Sequence, residues 1–155
     1  MAGENILGLE NLGVWNKAKN LVLVVYQQVL QKLPADEKWS LNQQLRRAVQ
    51  SVPANIAEGH GRFYYQENIH FCYIARGSLI ETYSHLFVAH DLKYISDEMF
   101  YDLKGRVEEL ARMLNGYIAY LKHSKRGENE PGAASMVREL PPEYFAEVPT
   151  PIQES

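Results

Sequence analysis

The run VPANIAEGHGR, from Val52 to Arg62, and the run ARGSLIE, from Ala75 to Glu81, set how this chain is read. Both place Asn, Glu, Arg, Ser and Gly among apolar residues in a helical context, where buried polar groups need partners. Pro53 lies inside the first run. A proline within a helix removes one backbone hydrogen bond and crowds the preceding turn, here the carbonyl of Val49. A kink is therefore expected in the second helix, with Ser51 or a water answering that carbonyl. Asn55, Glu58 and Arg62 then meet Arg76, Ser78 and Glu81 of the third helix in a polar network that fixes register. Contact with a ligand or nucleic acid is the competing reading of the same residues.

Working outward, apolar residues recur at three- and four-residue steps in four segments. The first runs from Val14 to Leu33 on Val14, Ala18, Leu21, Val22, Val25 and Val29, and Pro34 closes it. The second starts at Ser40 as an N-cap and carries Leu41, Leu45, Ala48, Val52 and Ile56. Gly59 and Gly61 end it in the manner of a helix C-terminus. The third, Tyr65 to Tyr94, turns Ile69, Cys72, Tyr73, Leu79, Ile80, Tyr83, Leu86 and Phe87 inward.

Ser96 caps the fourth, with Asp97 and Glu98 in the first turn, where the helix dipole favours negative charge. Its stripe is Phe100, Leu103, Val107, Leu110, Leu114, Tyr117 and Leu121, and Lys122, Lys125 and Arg126 finish it. No segment alternates with period two. The chain reads as all-α, and four helices on short loops pack most simply as an antiparallel up-down-up-down bundle. Tyr26, Tyr64, Tyr65, Tyr101 and Tyr120 fall beside these stripes, either as ordinary surface or as a second buried face for self-association.

With 155 residues the chain is long enough for one domain with an unstapled core. Its one cysteine, Cys72, excludes an internal disulfide framework and reads as a small core hydrophobe. MAGENILGLENLG lacks the features of a signal peptide, and the longest apolar run, Leu21–Tyr26, is far too short to span a membrane. A cytoplasmic setting is expected.

The net charge of −3 is unevenly spread. Residues 1–127, the bundle domain, hold fifteen Lys and Arg against thirteen Asp and Glu, whereas residues 128–155 hold one against six. That tail also contains five of the seven prolines, a composition that favours solvated, disordered chain. Leu140, Tyr144, Phe145 and Val148 within it are either incidental or a docking segment for a partner.

Signatures of catalysis are poor. A di-metal carboxylate bundle needs Glu-x-x-His on two helices plus two further glutamates. Glu67 with His70 supplies one such pair without a counterpart on the fourth helix. Glu81 with His85, and His90 with Asp91, lack further ligands. No P-loop, GxGxxG or GxSxG occurs. The chain reads as non-enzymatic, with no metal and no cofactor.

The runs NLGVWNKA at Asn11–Ala18, LNQQLRRA at Leu41–Ala48, VPANIAEGHGR, ARGSLIE and AHDLKYI at Ala89–Ile95 together carry a family resemblance. The chain resembles the four-helix-bundle family encoded in intervening sequences of bacterial 23S ribosomal RNA genes. That family is related to the accessory variability determinant proteins of diversity-generating retroelements. The likeness extends from about Leu9 to about Lys125 and omits the tail. It implies a homopentameric, barrel-like ring without established enzymatic activity. The retroelement relatives bind a reverse transcriptase and nucleic acid through a basic surface.

Two departures stand out. Tyr83 occupies the second acidic position of the family's ELET pattern, and the weakly charged body is unlike the strongly basic retroelement relatives. Candidate nucleic-acid contacts are Arg46, Arg47, Lys104, Arg106, Arg112, Lys122, Lys125 and Arg126, with Arg62 and Arg76 as further cations. A ring would multiply any such patch fivefold. Two functions stay open: a scaffold engaging RNA or DNA, beside a reverse transcriptase or ribonucleoprotein, or a protein-interaction ring using the tail as docking arm.

Overall fold

A computed structural model of the chain describes residues 6–125. The tail, residues 128–155, and Arg126 lie outside the described residues. Four long helices follow one another: α1 at Gly13–Val24, α2 at Leu41–His60, α3 at Tyr65–Asp91 and α4 at Asp97–Ser124. No strand occurs among the described residues. α1 packs on α2 and α4, and α3 likewise packs on α2 and α4, so consecutive helices are neighbours, as in an up-down-up-down bundle.

The core is the inner stripe of all four helices. Val25, Leu45, Val49, Val52, Ile56, Leu79, Leu86 and Leu114 are fully enclosed, with Ala18, Ala75 and Ala89 letting the helices approach.

The first helical run keeps its expected length but changes geometry. Beyond Val24 it continues as a π turn, Val25–Val29, then a 3-10 turn, Leu30–Lys32. A regular helix at 3.6 residues per turn would bring Gln28 and Lys32 round to the core stripe. The wider π turn instead leaves Gln28 and Lys32 exposed and keeps Val29 and Leu30 buried.

The start of α2 corrects the expected Ser40 cap. Ser40 makes no side-chain cap. Its role falls to Glu37, in the 3-10 turn Ala35–Glu37, whose Oε2 accepts the Leu41 N–H at 3.1 Å. The other carboxylate oxygen accepts the Tyr94 hydroxyl at 3.1 Å, so one side chain ties the α1–α2 turn to the α3–α4 turn.

The end of α2 corrects a second expectation. Gly61 stands at the C-terminal boundary in the right-handed helical region, not the left-handed one. Gly59 is inside the helix and buried because α3 crosses there. A Cβ at Gly59 would fall 2.6 Å from Asn68 Oδ1 and 3.0 Å from both the Asn68 carbonyl oxygen and Phe71 Cβ. Glycine fits here because the Asn68 side chain and carbonyl and the Phe71 side chain leave no room for a methyl. α4 starts as expected, with Ser96 Oγ accepting the Met99 N–H at 3.1 Å.

α3 departs most from its reading. Ile80 and Phe87, expected inside, are 49% and 44% exposed, while Asn68, Ala75, Thr82 and Ala89 take the inner stripe. Thr82 satisfies its hydroxyl on the Ser78 carbonyl at 2.8 Å. Asn68 donates to the Tyr117 hydroxyl at 3.2 Å and accepts from the Cys72 thiol at 3.6 Å. Burial pushes that thiol up to about 12, so Cys72 stays a neutral core residue.

Candidate functional site

The residues of the two opening runs do not converge on one site. Asn55 and Ser78 are linked through Ser51: the Asn55 amide donates to Ser51 Oγ at 2.9 Å, and Ser51 Oγ lies 2.8 Å from Ser78 Oγ. The Asn55 amide also reaches the Ser51 carbonyl at 2.8 Å. These bonds form the polar seam between α2 and α3, and α2 runs through Pro53 as one helix.

The other members go elsewhere. Glu58 pairs with Arg62 at 2.6 Å, and Arg62 lies over the Phe71 ring. Arg76 faces α4, donating to Asn115 Oδ1 at 3.1 Å with its guanidinium over Tyr73. Glu81 takes Arg47 at 2.9 Å and His85 at 3.4 Å. Tyr83, where the family pattern has an acid, stacks on Phe100 and meets Phe87 edge-on. The runs therefore hold three helix contacts: α2 to α3, α3 to α4, and the end of α2.

The candidate basic residues separate in the same way. Arg106 pairs with Asp102 at 3.0 Å and Lys104 with Glu108 at 3.9 Å, both one turn apart on α4. Arg112 is exposed, and Lys122 and Lys125 stand at the end of α4. Arg46 is different. Its guanidinium lies 5.0 Å from the centroid of Tyr26 on α1, it contacts Asn42 Oδ1 at 3.4 Å, and among the described residues no carboxylate pairs with it.

Around Arg46 the structure gathers residues absent from the sequence-based set. Gln50 donates to the Tyr26 hydroxyl, and one helical turn before Tyr26 the exposed Leu23 begins a strip leading to Lys19, which lies 5.4 Å from the Trp15 ring centroid. No Asp or Glu occurs between Asn11 and Ala35 or between Lys38 and Ala57, which together carry six Lys and Arg. The signal was present in the sequence, but pooling charge over the whole bundle hid it.

A second surface lies on α3, opposite its core stripe. Tyr73, Gly77, Ile80, Ser84 and Phe87 follow at steps of four, three, four and three, flanked by exposed Ile74 and Val88. No charged residue interrupts that stripe. Nothing lies within 4 Å of a Cβ built on Gly77.

At the far end of α3, His90 closes the turn to α4. Its ring stacks on Phe100 at 4.6 Å, Nδ1 lies 3.0 Å from Asp91, and Nε2 lies 2.5 Å from Asp97. The hydrogen bond to Asp97 raises the His90 pKa above its ordinary value, and the same bond lowers that of Asp97. Among the described residues no three His, Cys, Asp or Glu groups are placed to hold a metal ion. No described helix is long and apolar enough to cross a membrane.

The solved structure of a protein of unknown function from the S23 ribosomal protein family of Bacteroides thetaiotaomicron has the same fold, with a TM-score of 0.62 at 22% identity. The match covers 68% of this chain and 97% of that one. No curated protein matches the chain. The family model described as 23S rRNA-intervening sequence protein matches residues 10–116, which contain both opening runs and most of all four helices. The chain belongs to the 23S rRNA-intervening sequence protein family.

Proposed function

We propose that this protein is a non-enzymatic scaffold that assembles with copies of itself, as a pentameric ring, and engages nucleic acid in the cytoplasm. The uncharged outer stripe of α3 carries the reading. Ile74, Ile80, Phe87 and Val88 are all large and exposed on one side of a helix whose other side is already core. Contiguous apolar surface of that kind is uncommon on monomers and marks an interface. Gly77 and Ser84 lie on the same stripe, where small residues let another helix approach closely.

The family kinship supports a ring of identical chains, and the charge division between helices supports nucleic acid as its ligand. A reverse transcriptase or other protein is the partner such a ring would serve. The second reading, a ring that binds protein alone with residues 128–155 as its arm, is favoured by the ion pairing of Lys104 and Arg106. Light-scattering mass of the full chain, with and without a 30-nucleotide RNA, tests the proposal. An oligomer whose mass rises with RNA supports it. A monomer overturns the scaffold, and an oligomer that ignores RNA leaves the protein-only ring.

A further inference from the structure

The outer seam between α1 and α2 is built for a single-stranded polyanion that offers both phosphates and flat bases. We infer that this seam, and not the basic residues of α4, is the nucleic-acid track of the scaffold proposed above, and the inference rests on that reading.

Charge comes first. α1 with its π and 3-10 continuation, and α2 up to Ala57, contain no carboxylate. Two of their cations are drawn off by other helices, Lys17 to Glu109 at 3.0 Å and Arg47 to Glu81 at 2.9 Å. Lys19, Lys32 and Arg46 are exposed and have no carboxylate partner among the described residues. Arg106 and Lys104 on α4 already have carboxylates one turn away, which a phosphate would have to displace.

Geometry comes second. Arg46 lies over Tyr26 and Lys19 over Trp15, with both rings seated against the core. Trp15 and Tyr26 are eleven residues apart, so the two cation–ring pairs stand roughly 16 Å apart along α1 and its continuation. Arg46 is held with its guanidinium supported from below, leaving a planar cation on which a base can stack. Gln50 and Asn42 flank it, each already oriented by a hydrogen bond across the seam, to Tyr26 and to the Leu30 carbonyl. Leu23, 46% exposed, lies between the two pairs as an apolar contact. A duplex presents no base face to such a strip, whereas a single strand does.

The test is fluorescence anisotropy of a labelled 30-nucleotide single-stranded RNA with the full chain, read from 50 to 300 mM salt. K19E/R46E should weaken binding at least tenfold. It should also flatten the logarithmic salt dependence by about 1.4, the equivalent of two phosphate contacts on a single strand. R46K, which keeps charge without the plane, should leave the salt slope unchanged while still losing affinity. R106E/R112E on α4 should bind within about twofold of wild type once normalised to the same folded fraction. Equal loss from the α4 variant, or unchanged binding by K19E/R46E, would overturn the assignment of the seam. Absence of binding by the wild-type oligomer at 50 mM salt would overturn it together with the nucleic-acid part of the proposed function, while the light-scattering mass keeps the scaffold itself under separate test.

Discussion

The two halves of the bundle use the same number of cations in opposite ways. The α1–α2 half has six Lys and Arg and no carboxylate within Asn11–Ala35 and Lys38–Ala57. α3, α4 and the turn between them also have six, but with eight Asp and Glu, and on α4 Lys104 and Arg106 each pair with one of them a turn away. The first half presents Lys, Arg, Asn and Gln to solvent. The second presents an apolar stripe on α3 beside a charge-balanced α4. A net charge averaged over the domain erases that difference, on which the proposed polyanion face and the proposed self-association face both rest.

The largest expected effect comes from disrupting the α3 stripe. I80E/F87E should reduce the assembly to monomers, because like charges would be forced together at the centre of the interface. Apparent RNA affinity should fall with it, by about 10²-fold if avidity is lost, while the affinity per site stays unchanged. Sedimentation and anisotropy on the same variant separate the two.

Next is the junction that holds the halves together. G59A adds a methyl where Asn68 and Phe71 leave no space, and should destabilise the fold by about 1–3 kcal/mol in urea unfolding. G77A, where nothing lies within 4 Å, should leave monomer stability unharmed but weaken assembly, which makes the pair of glycines a direct contrast between the inner and outer sides of one helix array.

Smaller still is S78A, which removes one hydroxyl from the Ser51–Asn55 seam and should cost about 1 kcal/mol. The pH response is the finest probe. Because the folded pKa of His90 is raised, its pairing with Asp97 and Asp91 contributes fully below the ordinary histidine value and fades as pH rises through the raised value. Asp97, lowered by the same partner, contributes above the ordinary carboxylate range and loses that as pH falls through its depressed value. Melting temperature followed from pH 5 to 9 should therefore decline more in wild type than in H90Q. Identical profiles would remove His90 from the account.

Much of this fold was legible in the chain because helix stripes, Ser96 and the proline after Leu33 are local signals. Ser40 misled because a capping serine is recognised by type, whereas Glu37 wins here through a contact with Tyr94 that no local pattern encodes. Ile80 and Phe87 misled for a related reason. A stripe search assigns every apolar residue to one core, but α3 carries two stripes, and only packing tells which is inward. The polar network was half legible: Ser78 and Asn55 meet through Ser51, while Glu58, Arg62, Arg76 and Glu81 find partners that require the three-dimensional order of helices.

The proposed division between an assembling face and a polyanion face depends first on assembly. Native mass spectrometry of the full wild-type chain beside I80E/F87E tests that directly. A discrete wild-type species at five times the 17.8-kDa chain is expected, together with a monomeric variant that retains its helical content. A wild-type monomer at every concentration, or a variant that assembles as wild type does, would contradict it.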